Sequence, residues 1–253
     1  MEKYKFTGRM EEGILLKMDG HFATVLLDGK EVEACCQAMG KPGAKGIPCL
    51  VSRDDSVGQY TVQAVDLGRM EGRENNWVCL KPVILEEAVR FFGEKIFGDV
   101  EIVRNPQICG KAGADFETRD ALVEIKVPYI TQNMAGMWSK QIKKFCRSFC
   151  RAVNSGDIPA VLQENDKRNV VLFMFQQELK DEMKDEFCKE MKNGLGMAGK
   201  KGMEVWLIEM KIEEDGIDLV SCQEMTDAGY NPGRMGQYFS LAPWNVFYHE
   251  TWR

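Results

Sequence analysis

Glu124 and Lys126 stand one residue apart inside the run Val123-Glu124-Ile125-Lys126-Val127, and a third charged residue, Asp115, lies nine residues upstream. A strand with its period of two sends Val123, Ile125 and Val127 to one face and projects Glu124 and Lys126 together from the other. With Asp115 on the adjacent strand, the two carboxylates are placed to share one divalent cation, and the Ile125 carbonyl can add a further oxygen. Lys126 beside them completes a set able to lower the pKa of a water and aim it at phosphorus, which is what hydrolysis of a phosphodiester needs. The same pattern also describes a salt bridge closing a sheet edge, and both readings stand at this point. Glu-x-Lys recurs at Glu178, Glu182, Glu190 and Glu209. The first three read as a solvated helix surface, and Glu209 has no Asp within the preceding fifteen residues. Only Glu124 combines a strand, a partner Asp and a basic helix to follow.

That helix is the second element of the constellation. Between residues 132 and 156 there are five positive side chains and no acidic one. Lys140, Lys144, Arg147 and Arg151 follow spacings of 4, 3 and 4, one stripe of a helix, with Lys143 at its border. Trp138, Ile142, Phe145 and Phe149 make the apolar stripe that docks it. A concentrated basic face directly after a cation-type strand suits a polyphosphate backbone; a solvated charged face is the other reading.

The remaining composition narrows the chemistry. The 253 residues carry 33 basic and 39 acidic side chains, a net charge of −6. No window approaches the run of about 18 apolar residues that spans a membrane, and the first residues lack the apolar core of a signal peptide, so the expectation is a cytoplasmic protein with no membrane partner. The nine cysteines include no Cys-x-x-Cys pair, and only His21 and His249 are available as histidines. Zinc-ribbon, thioredoxin-type and histidine-dependent chemistry therefore have little to draw on. Any metal is expected to be a hard cation held by oxygen, Mg²⁺ or Mn²⁺. Cys146 and Cys150, one helical turn apart, read as small apolar packing groups.

The elements that must position these residues fall into three segments. Residues 1–78 show short apolar runs at 14–16, 22–27, 30–34, 47–51 and 60–65, cut by Asp19-Gly20 and Asp28-Gly29. These are hairpin signals, and five short strands in so small a span predict a small β-barrel of the OB-like kind. From Pro82 the period changes to helical, and strands near 99–103, 121–127, 170–175 and 205–208 then alternate with helices at 138–153 and 178–193. The expected fold class is α/β, α+β overall, with an α/β domain over residues 79–224 covered on both faces. Residues 225–253 form an extension holding seven aromatics, expected to fold back on the body or to build a homodimer contact.

Taken together, Gly113-Ala114-Asp115-Phe116, Val123-Glu124-Ile125-Lys126-Val127, Lys140 and Lys143-Lys144-Phe145 resemble the sugar fermentation stimulation protein (SfsA) family. Val170-Val171-Leu172-Phe173, Gly202-Met203-Glu204-Val205-Trp206 and Gly216-Ile217 are similar to its C-terminal half, and residues 22–29 with Pro42-Gly43 to its N-terminal half. The resemblance implies an N-terminal OB-like barrel followed by a PD-(D/E)xK nuclease-like α/β domain. It implies binding of nucleic acid, DNA or RNA, with Mg²⁺- or Mn²⁺-dependent endo- or exonuclease activity. Asp115, Glu124 and Lys126 inherit the catalytic positions by motif, Asp115 and Glu124 also as metal ligands. Glu87, on the helix before the core sheet, and Glu101, on its first strand, are candidates for the additional acidic position. Lys140, Lys143, Lys144, Arg147 and Arg151 are the candidate phosphate contacts.

The chain also departs from the family pattern. Cys35-Cys36-Gln37-Ala38-Met39 replaces an Asn-Thr-Gly-x-Met-like segment, His21 stands where a more basic residue precedes the first-domain Phe, and Gly113 stands where an Arg is expected two before the motif Asp. Asparagines expected around residues 80–85 are absent. These differences fall on nucleic-acid contacts rather than on the metal positions, so the alternative expectation is a non-catalytic DNA- or RNA-binding or regulatory protein that keeps the nuclease fold.

Overall fold

The structure, a computed structural model, describes residues 3–6, 8–36, 46–67, 76–80, 82–93, 103–104, 115–118, 121–127, 135–155 and 167–226. The candidate acid Glu101 and the aromatic extension from residue 227 onward lie outside them.

Local turn chemistry builds the first sheet. Strand β1 (Lys3–Lys5) stands apart; β2 (Met10–Asp19) and β3 (Phe22–Leu27) join through Gly20 and His21, and β3 joins β4 (Lys30–Cys35) through Asp28 and Gly29. Asp28 and Gly29 both have positive φ, 46° and 77°, the mirror-image two-residue turn whose twist matches that of its flanking strands. Strands β5 (Ile47–Asp54) and β6 (Gln59–Asp66) form the next hairpin, and β5 pairs back on β2. A parallel bridge, Ala34 to Tyr60 and Cys35 to Thr61, joins β4 to β6 and closes the ring. The result is the expected OB-like barrel: five strands, closed, with Leu15, Val25, Ile47, Cys49, Val51 and Val62 filling it. A sixth strand, β7 (Trp77–Cys79), is added on the outside of β6.

The second sheet has seven strands in the order β1-β13-β12-β11-β10-β9-β8, completed by β8 (Val103–Arg104), β9 (Phe116–Glu117), β10 (Ala121–Lys126), β11 (Arg168–Phe175), β12 (Met203–Glu213) and β13 (Gly216–Glu224). The central three, β10, β11 and β12, run parallel, and the flanking pairs are antiparallel. Helix α1 (Pro82–Phe91) precedes the sheet, α2 (Ala135–Ser155) crosses from β10 to β11, and α3 (Asp181–Lys200) crosses from β11 to β12. This helix–three strands–helix–strand order makes the α/β domain expected after the barrel.

Both faces of the sheet are covered. Phe173 and Phe175 of β11 and Leu207 of β12 pack under Ile142, Phe149, Phe187 and Met191 of α2 and α3. Leu172, Met174 and Ile208 point the other way, against Leu85 and Val89 of α1 and the barrel residues Leu50, Ala64 and Trp77. Burial on both sides explains why residues 170–175 are apolar without alternation.

Two details differ from the expectation. β1 leaves the N-terminal segment to pair with β13, so the second sheet reaches across the expected boundary at residue 78. Lys3 holds it there through Glu213 at 2.6 Å and Asp215 at 2.7 Å. The charged helix expected at 178–193 begins at Asp181 and continues to Lys200 through three glycines. Gly194 is needed for close approach: a Cβ there would meet Cys150 Sγ at 2.7 Å and the Phe149 ring at 3.2 Å. Packing against α2 thus outweighs the roughly 1 kcal/mol helix penalty of a glycine.

Candidate active site

The hairpin β9–β10 positions the acids. Phe116 faces Val123 and Glu117 faces Leu122; continued by one step, that register sets Asp115 opposite Glu124. The chain confirms the placement with a hydrogen bond in which the Ile125 N–H donates to Asp115 Oδ2 at 2.6 Å. Val123 is fully buried on the α1 side, and Ile125 and Val127 pack against the same cluster. Leu122, of opposite parity, belongs to the core under α2 and α3, and Glu124 and Lys126 share its side of the strand by the alternation of the pleat.

Glu124 and Lys126 form an ion pair, with the carboxylate 16% and the ammonium side chain 45% exposed. Burial pushes the Asp115 carboxyl above its ordinary range; the Ile125 amide pulls it back, the Glu124 charge raises it further, and the Lys126 charge lowers it. Asp115 therefore feels both of its expected partners. A buried carboxylate raised in part by a second carboxylate beside it is a site where a hard cation would relieve repulsion, and oxygen donors suit Mg²⁺ or Mn²⁺. Asp115 and Glu124 fit such an ion as ligands. Among the described residues no three His, Cys, Asp or Glu side chains form a metal-holding group. Glu87 accordingly does not complete a trio with them; its carboxylate accepts from the Tyr4 hydroxyl at 2.7 Å. Tyr4 stands on β1, four places along the sheet from β10, about 19 Å at roughly 4.8 Å per strand.

Helix α2 carries the basic face as the spacing predicts. Lys144, Arg147 and Arg151 are exposed, while Ile142, Cys146, Phe149 and Val153 are buried at spacings of 4, 3 and 4. The side chain of Lys140 lies outside the described set, as does that of Trp138. Cys146 takes a place in the apolar stripe, its thiol pushed up to about 12 by burial, and it packs rather than ligates. Lys143 lies 3.8 Å from Glu190 of α3, both partly exposed, a contact worth no more than about 1 kcal/mol. Because α2 is the crossover between parallel β10 and β11, its N-terminal end follows from the end of β10 that carries Lys126.

Two polar clusters escaped the sequence reading. Glu209, fully buried in β12, is 3.0 Å from Lys184 of α3, accepts the Leu179 N–H at 2.6 Å and accepts the Ser221 hydroxyl. Its signal was present, a lone acid inside the apolar run 205–212. Lys167, just before β11, pairs with Glu117 of β9 and donates to the Thr118 carbonyl at 3.0 Å. Fifty residues separate that pair, and no local pattern announces it.

No protein-family model matches the sequence, and no curated protein matches it. Among solved structures the chain is similar to Pyrococcus furiosus SfsA in complex with Ca²⁺, at 12% identity and a TM-score of 0.56, over 88% of this chain and 98% of that one. The fold, an OB-like barrel joined to an α/β domain, is SfsA-like.

Proposed function

We propose that the protein binds nucleic acid along α2 and hydrolyses phosphodiester bonds at Asp115, Glu124 and Lys126. The observation that carries this reading is the 2.6 Å bond from the Ile125 N–H to Asp115, which ties the first acid to the backbone between the other two residues. The SfsA-like fold supports it. Asp115 and Glu124 would hold Mg²⁺ or Mn²⁺, which would supply Lewis-acid activation of water and neutralisation of charge on the phosphoryl oxygens. Lys126, the most exposed of the three, is placed to donate from Nζ to a phosphate oxygen or to hold the attacking water. Lys144, Arg147 and Arg151 would grip the backbone as point charges and forks.

Cleavage of labelled single- and double-stranded DNA and RNA with Mg²⁺ or Mn²⁺, compared with Glu124→Ala purified identically, tests the reading. Metal-dependent cleavage lost in the variant is the expected result; equal nicking by both proteins would end the hydrolase proposal.

A second reading, a non-catalytic nucleic-acid binder, is favoured by one feature: Glu124 already has a cationic partner in Lys126. It expects salt-sensitive binding that does not change with Mg²⁺.

A further inference from the structure

We propose that Lys167 is a positioning residue: its grip on Glu117 and on the Thr118 carbonyl sets the strand register that brings Asp115 to Glu124. The inference rests on Asp115 and Glu124 being the cation site.

Strand β9 is two residues long. It meets β10 in two register pairs and β8 in two more, so its backbone ladder is short on both sides. Register in so short a strand is weakly specified, and a slip of one residue turns every side chain to the opposite face. Asp115 would then leave the side of the sheet that carries Glu124. Something beyond the ladder must hold β9 in place.

The hairpin turn contributes part of the restraint. Thr118 is buried; its N–H donates to the Ala121 carbonyl at 2.8 Å, and its hydroxyl accepts the Ala121 N–H at 2.9 Å. Lys167 adds what the turn lacks. It precedes Arg168, which is level with Ala121 in the parallel pairing of β10 and β11. From the start of β11 its ammonium reaches β9, two strands away, pairing with Glu117 and donating to the Thr118 carbonyl at 3.0 Å. One side chain therefore ties the start of β11 to β9 and to the residue after it, at the level where the hairpin turns. Glu117 lies two residues from Asp115, so fixing the first fixes the second.

An ordinary surface ion pair offers the contrasting explanation. Lys167 and Glu117 are 29% and 26% exposed, and a pair so open to water contributes at most about 1 kcal/mol. If that were its whole role, removing it would touch stability slightly and the site not at all. A register clamp does the reverse, because residues that orient metal ligands change affinity by about 10- to 100-fold when removed.

The test uses the full chain with Mn²⁺ alone, followed by calorimetry, together with the amide signal of Ile125, whose N–H reports contact with the Asp115 carboxylate directly. Lys167→Met and Glu117→Gln are each expected to weaken Mn²⁺ binding about 10- to 100-fold, to shift the Ile125 amide, and to leave the thermal midpoint nearly unchanged. Lys167→Arg is expected to restore both signals. Glu124→Ala is the control for the site itself. If wild type binds Mn²⁺, Glu124→Ala does not, and both clamp variants bind within twofold of wild type with Ile125 unmoved, the clamp is overturned and the site survives. If wild type binds no Mn²⁺, or Glu124→Ala binds as well as wild type, the site itself fails and the clamp fails with it. Should Lys167→Met not fold, Glu117→Gln decides alone, since it keeps the lysine and its bond to Thr118.

Discussion

The barrel and helix α2 carry opposite electrostatic characters. Residues 8–80 hold eight basic and eleven acidic side chains, and the outer side of the β3–β4 hairpin shows Glu31 and Glu33 opposite Leu26 and Thr24. Helix α2 holds five basic residues and no acid. An OB-like barrel is a frequent platform for oligonucleotides, yet here the cationic surface belongs to the other half. On the proposed reading fold and binding surface have separated, which is the general reason function is argued from side chains and not from architecture.

The largest expected effect breaks the sheet half. Phe173 touches Phe145, Phe149 and Phe187 in edge-to-face contacts with ring centroids 5.0 to 5.7 Å apart. Phe173→Ala is expected to cost about 3–5 kcal/mol in denaturant unfolding. Because the barrel residues Leu50, Ala64 and Trp77 share a core with the sheet, a probe in the barrel should report the same transition. Two separate transitions would show that the halves are energetically independent.

Charge reversal comes next and addresses the contrast itself. Lys144→Glu with Arg147→Glu is expected to weaken oligonucleotide binding more than tenfold and to reduce the slope of log affinity against log salt by about 2. Glu31→Lys with Glu33→Lys should change affinity less than the α2 pair does. The reverse ranking would move the binding surface to the barrel.

A third outcome follows from Asp115. Its carboxyl is raised by burial first and by Glu124 as well. A raised acid supports folding below the unfolded value of about 3.9 and withdraws that support as pH rises through its folded value. Asp115→Asn should therefore raise the melting temperature of metal-free protein at pH 7 to 8. It should also abolish the extra stabilisation that Mg²⁺ or Mn²⁺ gives wild type, as ligand linkage requires.

The smallest effect lies at the sheet edge. Lys211 and Lys3 hold the Glu213 carboxyl down to about 2. That support is present above the unfolded value of about 4.3 and is lost as pH falls through about 2. Lys3→Ala should shift acid unfolding to higher pH while costing under about 1 kcal/mol at neutral pH. No change in the acid limb would show that β1 is held by its backbone alone.

The barrel was legible because its instructions are local. Asp28-Gly29 dictates a tight turn, and the alternation at residues 22–27 dictates a face, so β3 and β4 could be read almost to the residue, whereas β2 runs Met10–Asp19 around an expected 14–16. The apolar run at 170–175 and the stripe on α2 were legible for the same reason. Charges on partner elements were not. Period-two geometry placed Glu124 with Lys126, but the bond from Ile125 to Asp115 depends on how a two-residue strand is held. Lys167 to Glu117, Lys184 to Glu209 and Tyr4 to Glu87 join residues 50, 25 and 83 apart in sequence, spacings that carry no period. Gly194 shows the same limit: its sequence context suggests a helix end, and the Cys150 thiol and Phe149 ring across the interface explain why a glycine stands within the helix.

Gln176 has a consequence of its own. β7 closes one margin of the barrel sheet, pairing on one side with β6. The Gln176 carboxamide meets that margin at Cys79, accepting its N–H at 2.7 Å and donating to its carbonyl at 3.3 Å, as a neighbouring strand would. An uncovered rim is a template for pairing with another chain and for aggregation. One amide side chain thus occupies the Cys79 position of that margin, and because it is supplied by the opposite half of the molecule, baring the Cys79 backbone requires the two halves to part.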